Sequence, residues 1–223
     1  MIVGLVGFIG SGKSTVASGL VRDHGFTEIA FADTLKDVCS LTFDWPRDLL
    51  QGDTAAARKW RETEDKWWAE KLARPGFSPR QAMQILGTEV MRGGFDDNIW
   101  ILSVERKIAS APGNIVVTDC RFPNEFKMVR RLGGVIARVK RGPDPAWLPV
   151  AKEAMDLSAG KGFERARAIA ELKEKWNIHS SEYSWVNERI NHTFVNEFTV
   201  DVLDQNITKW LERQEGLYLA ETG

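Results

Sequence analysis

Apolar and polar positions along this chain follow two alternating rhythms. Short, nearly unbroken apolar runs occur at Met1-Ile-Val-Gly-Leu-Val6, Phe26-Thr-Glu-Ile-Ala-Phe-Ala32, Ile115-Val-Val-Thr-Asp119, Val135-Ile-Ala-Arg-Val139 and His192-Thr-Phe-Val-Asn196. Each is too short for a stable helix, and all five predict strands. Between them, apolar residues recur every three or four positions and predict helices over 15–22, 55–72, 98–109 and 122–132. Asp33 is placed to cap a helix beginning near Leu35. Ser78-Pro79 opens another that runs to about Met91 and stops at Gly93-Gly94. Residues 46–53 read as a loop, and 151–176 as charged and largely helical. Thr199 can cap a last helix with Val200, Leu203, Ile207, Trp210 and Leu211 on one face. Strands alternating with helices predict an α/β fold, a parallel sheet covered on both sides. Trp60, Trp67 and Trp68 are expected to pack one helix against its neighbours.

Chemistry concentrates where the strands should end. Gly7-Phe-Ile-Gly-Ser-Gly12-Lys13-Ser14 matches the phosphate-loop pattern G-x-x-x-x-G-K-[ST] and lies between a strand and a helix. In that context Gly10, Ser11, Gly12, Lys13, Ser14 and Thr15 gather backbone N–H groups at a helix N-terminus, which favours phosphate. Lys13 would reach the donor phosphates, and the Ser14 hydroxyl would ligate Mg²⁺.

Ligands of parallel α/β sheets bind at the carboxyl ends of the strands. Asp33, Lys36, Asp119, Arg121 and Arg141 all follow predicted strands. Arg121 could clamp a phosphate through two parallel hydrogen bonds, and Asp119 could hold a Mg²⁺-bound water or an acceptor hydroxyl. A helix cap with a surface arginine is the plainer alternative. Lys36 reads either as a phosphate ligand or as a solvated first-turn lysine. Arg80, Gln84 and Thr88 recur every four residues and form one polar stripe, lining a cleft or facing solvent. Met83, Ile85, Leu86 and Val90 between them should be largely buried, and Arg92 answers the helix dipole. His179-Ser-Ser-Glu182, Arg165 and Arg167 lie in a charged stretch, 142–190, that falls between two strands and predicts a lid-like insertion over the site. Three histidines without metal-cluster spacing argue against zinc.

Length and composition narrow the partners. A chain of 223 residues with 43% hydrophobic content is one domain with room for such an insertion. A net charge of −1 argues against a nucleic-acid surface. Cys39 and Cys120 cannot form a disulfide framework, which suits a reducing, cytoplasmic setting. Without an apolar run of spanning length or a basic leader, neither membrane insertion nor a signal peptide is expected. The expected partner is a small molecule, and the sequence leaves a homodimer open.

Taken together, the motifs resemble one family. Gly-Ser-Gly-Lys-Ser at 10–14, Phe-Ala-Asp-Thr-Leu-Lys at 31–36, Arg-Gln-Ala-Met-Gln-Ile-Leu-Gly-Thr at 80–88 and Asn-Ile-Trp at 98–100 occur in order. Asp-Cys-Arg-Phe-Pro-Asn-Glu at 119–125, His-Ser-Ser-Glu at 179–182 and Val-Asn at 195–196 follow. The series resembles the deoxynucleoside monophosphate kinases of tailed bacteriophages and spans nearly the whole chain. The loop itself departs from those enzymes, with Ile9 and Gly10 where they carry basic residues.

That resemblance implies an adenylate-kinase-like P-loop kinase fold over 1–223, with a parallel sheet and a helical lid. It implies ATP as donor with Mg²⁺, and a deoxynucleoside monophosphate as acceptor, in the host cytoplasm if the gene is a phage's. Asp33, Lys36, Arg80, Gln84, Thr88, Trp100, Asp119, Arg121, Glu125, Arg141 and His179 become acceptor-side candidates. Trp100 would lie against the base, Glu125 would meet a sugar hydroxyl or orient Arg121, and Asn196 would approach the adenine. A phosphomevalonate or dephospho-coenzyme A kinase is the alternative enzyme, and a non-catalytic nucleotide switch the alternative of another class.

Overall fold

The computed structural model describes the backbone of residues 1–222 and the side chains of residues 1–214. All five expected strands form: β1 (Ile2–Val6), β2 (Thr27–Ile29), β3 (Ile115–Val117), β4 (Val135–Lys140) and β5 (His192–Val195). They make one parallel sheet in the order β2-β3-β1-β4-β5. β1 is central and registers Gly4 against Val117 on one side and Ile136 on the other.

Alternation along the strands builds three layers. Val3, Leu5, Val116, Ala137, Val139 and Phe194 turn to one face. There they meet Val16 and Leu20 of α1 (Lys13–His24) and Leu203, Ile207 and Trp210 of α11 (Val200–Thr222). On the other face, Gly4 packs against Ile136 and against Val129 of α8 (Pro123–Arg131). The helical period of α11 matches expectation except at Val200. It stands first in the helix, outside the packed stripe, and is 50% exposed.

Two compact units result. The first comprises residues 1–29 and those from 110 onward, and the second is Ala30–Ala109. The first unit includes residues 142–190, with α9 (Leu148–Ala154), α10 (Gly162–Glu174) and a 3₁₀ turn (Ser180–Glu182). These bury a small cluster of their own, Ala151, Ala154, Ala168, Leu172 and Tyr183. The predicted helix over 151–176 is therefore two helices, interrupted by a turn at 155–161.

The second unit holds α2 (Phe31–Phe43), α3 (Arg47–Gln51), α4 (Ala55–Glu62), α5 (Lys66–Lys71) and α6 (Pro79–Gln84), with α7 starting at Ile99. Phe43 stacks on Trp45 at 4.4 Å within a core of Cys39, Leu50, Phe77 and Ala82. Several local expectations change here. Helix α2 begins at Phe31, and Asp33 serves it from the third helical position by accepting from the Ala30 N–H at 3.1 Å. The expected loop 46–53 contains α3. The expected helix 55–72 breaks at Asp65, whose carboxylate caps α5 through the Trp68 N–H and also accepts from the Trp45 indole at 2.8 Å. One side chain serving both donors needs a chain reversal that a continuous helix cannot supply. Trp60 and Trp68 join the core, whereas Trp67 is 58% exposed. Beyond Gln84 the helix widens into a π-helix (Ile85–Phe95), running through Gly93-Gly94 rather than stopping there. Its end is marked by the Asp96 N–H bonding to the Met91 carbonyl at 2.9 Å. Glycines without side chains fit such a wide turn without steric cost.

The sheet core sets global stability. Phe194 is 1% exposed and meets Trp210 edge-on at 5.2 Å. Phe194→Ala should lower unfolding stability by about 3–5 kcal/mol. Urea denaturation followed by circular dichroism measures it, and a loss under about 1 kcal/mol would show that β5 and α11 are not part of the cooperative core.

Candidate active site

The turn from β1 into α1 is made by Gly12, at φ 95° in the left-handed region that favours glycine. A Cβ there would also lie 2.0 Å from the Asn196 amide nitrogen, so any other residue would displace that side chain as well as strain the backbone. Helix α1 has no side-chain cap. The N–H groups of Lys13 and Ser14 lie ahead of the first helical bonds, which Thr15 and Val16 make to the Gly12 carbonyl, and they carry the positive end of the helix dipole. Ser14 is exposed on this first turn, Thr15 half-buried, and Gly10 exposed at the loop's tip. Ser11 is buried, with its hydroxyl unpaired. Uncapped N–H groups with an exposed hydroxyl beside them suit a phosphate carrying a divalent cation.

Lys13 folds back on the loop. Its ammonium donates to the Gly7 carbonyl at 2.6 Å and the Phe8 carbonyl at 3.2 Å. Burial pulls its pKa from 10.5 down to about 8. The Arg121 guanidinium pushes the same way, while Glu182 and Asp119 oppose. Asn196 follows β5 and turns to the phosphate loop. Its amide donates to the Ser11 carbonyl at 3.0 Å, so it props the phosphate loop from beneath.

Arg121 follows β3, as expected. Glu125 is 4% exposed, and its carboxylate accepts from the backbone N–H groups of Arg121 at 2.6 Å and Phe122 at 3.0 Å. It therefore orients Arg121 through the main chain, and it is too enclosed for a sugar hydroxyl. The Arg121 guanidinium reaches Ser181 at 3.4 Å and the Glu182 carboxylate, with which it is paired. His179 closes that same turn, its ring Nδ1 accepting from the Ser181 N–H at 3.2 Å. Its Nδ1 thus caps the turn, while the residue itself is exposed. Arg141 is exposed. Arg165 binds the Ala154 carbonyl and Arg167 the Glu153 carboxylate, so both tie α10 to α9.

In the second unit, Lys36 is 8% exposed, and its ammonium meets the Gln51 amide oxygen at 2.8 Å and Asp33 at 3.4 Å. Arg47 joins the same group through Gln51 at 2.9 Å, Asp33 at 3.2 Å and Asp37 at 2.6 Å. Asp33, Arg47, Asp48, Gln51 and Asp53 line an open cavity of about 690 Å³. Sequence reasoning missed Arg47 and Gln51 because it read their segment as a loop. Their four-residue spacing was the available signal. Arg80, Gln84 and Thr88 are all exposed, with Arg80 3.3 Å from Glu62. Met83, Ile85 and Leu86 are half-buried, but Val90, within the π-helix, is 47% exposed. Arg92 pairs with Asp97. Trp100 is 7% exposed, and its indole donates to the Gly87 carbonyl at 2.9 Å. It packs inside the unit rather than offering a face to a base.

A glycine loop joining the central strand of a parallel sheet to an uncapped helix, with Lys13 on the loop and Arg121 beyond the neighbouring strand, is the apparatus of a P-loop phosphotransferase. Residues 50–144 match the deoxynucleotide monophosphate kinase family. A protein of Acanthamoeba polyphaga mimivirus, provisionally named a deoxynucleotide monophosphate kinase, is 30% identical over 155 residues, covering 63% of this chain and 74% of that protein. The deoxynucleoside-5'-monophosphate kinase of Escherichia phage T5 is 43% identical over 55 residues, 24% of this chain and 22% of that one. The shikimate kinase of Aquifex aeolicus aligns with a TM-score of 0.46 at 14% identity, over 96% of this chain and 98% of that one. The chain belongs to the deoxynucleotide monophosphate kinase family.

The lowered pKa of Lys13 has a kinetic consequence. Only the ammonium form neutralises phosphate, and that form is lost as pH rises through the folded-state value of about 8. Since kcat/KM reports the free enzyme, kcat/KM for the phosphoryl donor should fall above pH about 8. Lys13→Ala should lose turnover at every pH. A kcat/KM flat to pH 10 would remove Lys13 titration from the profile.

Proposed function

We propose that the chain transfers the terminal phosphoryl group of ATP to a deoxynucleoside monophosphate, yielding the diphosphate, in the cytoplasm of a cell or of a phage's host. The observation carrying this reading is the convergence of Lys13, Asp119, Arg121 and Glu182 on one electrostatic neighbourhood beside the loop. Lys13 exchanges its carbonyl partners for donor phosphate oxygens, and the loop N–H groups hold those phosphates. Ser14, with Asp119 through a water, would hold Mg²⁺, which supplies further charge neutralisation on the phosphates.

Arg121 neutralises the transferring group or the acceptor phosphate. Lys36, Arg80, Gln84 and Thr88 are the acceptor-side candidates of the second unit, and Arg47 and Gln51 join them through their bonds to Lys36 and Asp33. Glu125, Trp100, His179 and Asn196 act by holding other parts in place. No general base is required, because a phosphate acceptor is already anionic. The nucleophile needs alignment rather than deprotonation.

Two measurements test this. ADP release should depend on acceptor, with at least one deoxynucleoside monophosphate far exceeding mevalonate phosphate and dephospho-coenzyme A. Inactivity on every deoxynucleoside monophosphate overturns the proposal. Arg121→Lys should cost about 2–4 kcal/mol in kcat/KM, nearly as much as Arg121→Ala, because an ammonium cannot make the two-point contact of a guanidinium. ATP affinity should change much less. Normal kcat/KM in Arg121→Lys would return Arg121 to a capping role.

A further inference from the structure

One side of the phosphate loop is aromatic. Phe8 lies against two tryptophans of the segment 142–190, with Trp147 edge-on at 5.1 Å and Trp185 tilted at 4.9 Å between ring centroids. The Arg138 guanidinium of β4 stands 5.5 Å from both the Phe8 and the Trp185 rings, and its far end is bound to Asp144. Trp185 in turn donates its indole N–H to the Glu182 carbonyl at 3.0 Å. The carboxylate of that same Glu182 holds Arg121. Phe8, Trp185, Glu182 and Arg121 thus form one chain of contacts from the phosphate loop to the guanidinium. The turn between them is stiff, because Ser184 bonds the Ser180 carbonyl through its N–H at 2.9 Å and its hydroxyl at 2.7 Å.

The way Arg121 is held matters. Both of its side-chain bonds, to Ser181 and to Glu182, use Nη1. Nε and Nη2 have no bonding partner among the described residues, and they form the edge of the guanidinium that matches two oxygens of a phosphate. Glu182 therefore orients that fork without occupying it. A half-exposed ion pair with no further purpose would add little to stability. Anchoring this pair to the phosphate loop through the tilted Phe8–Trp185 contact and an indole hydrogen bond gives it a fixed reference point.

We propose that Glu182 and Trp185 are positioning residues for Arg121, setting its free edge by reference to the phosphate loop through Phe8. The inference rests on the assignment of Arg121 to phosphate made above. It predicts that the loop and Arg121 are aligned together, so that a change in the 3₁₀ turn is felt in turnover rather than in donor binding.

A double-mutant cycle tests this, with steady-state kinetics on the best acceptor and melting temperatures for each variant. Glu182→Gln should lower kcat by about 10- to 100-fold, the cost of a small misplacement of a reacting group, with KM for ATP changed less than about twofold. In an Arg121→Ala background, assayed at about pH 6.5 so that Lys13 stays protonated with or without Glu182, the same substitution should cost less than about twofold, because its positioning effect acts only through Arg121. Trp185→Phe keeps a ring against Phe8 but loses the indole N–H, and should give a smaller loss of kcat that also vanishes without Arg121. It carries the test if Glu182→Gln fails to fold. Unchanged kcat in Glu182→Gln or, where that variant does not fold, in Trp185→Phe would overturn the proposal. So would equal losses with and without Arg121. Unchanged kcat in Arg121→Ala would instead overturn the reading of Arg121 itself, and the positioning proposal with it.

Discussion

Gly12 carries a left-handed turn that points the first N–H groups of α1 at one place, and the site depends on that turn. The chain must leave the central strand of a parallel sheet and enter a helix within a few residues, and it does so without a side-chain cap. The Asn196 amide fills the space a side chain would need and bonds the loop from beneath at Ser11. An uncapped helix N-terminus is a cost in an isolated helix. In the function proposed for this chain it becomes the surface that takes an anion.

Charge around the loop is balanced so that Lys13 stays partly desolvated without being neutral. Burial and Arg121 pull its pKa down, and Glu182 and Asp119 pull it back. The Gly7 and Phe8 carbonyls that hold the ammonium are neutral acceptors, weaker partners for it than an anion would be. Glu182 has two roles in this arrangement. It offsets the two cations, and it holds Arg121 by one nitrogen while leaving the other edge open.

The second unit solves a different problem. Its core is aromatic and knit by polar bonds such as Trp45 to Asp65 and Trp100 to Gly87. Buried indole N–H groups need partners, and these bonds supply them while fixing the helices that carry Lys36, Arg47, Arg80, Gln84 and Thr88. Lys36 and Arg47 share the Gln51 oxygen, which holds two like charges close together through one neutral acceptor, with Asp33 offsetting them.

Local rules were enough for the sheet, the phosphate loop and the place of Arg121. Apolar runs, helical spacing and the glycine pattern act over a few residues, and the sequence carries them directly. It also determined α1, α8 and the packed face of α11. Tertiary structure decided the rest, because the partners are far apart in the chain or compete locally. Asp65 broke a predicted helix because Trp45 also needed its carboxylate, and Arg47 and Gln51 emerged on a helix where proline and glycine suggested a loop. Glu182 found Arg121 across 61 residues, and Asn196 found Ser11 across 185. No periodicity records such pairs, since a side chain's partner is chosen by which strands lie side by side and how the loops between them return.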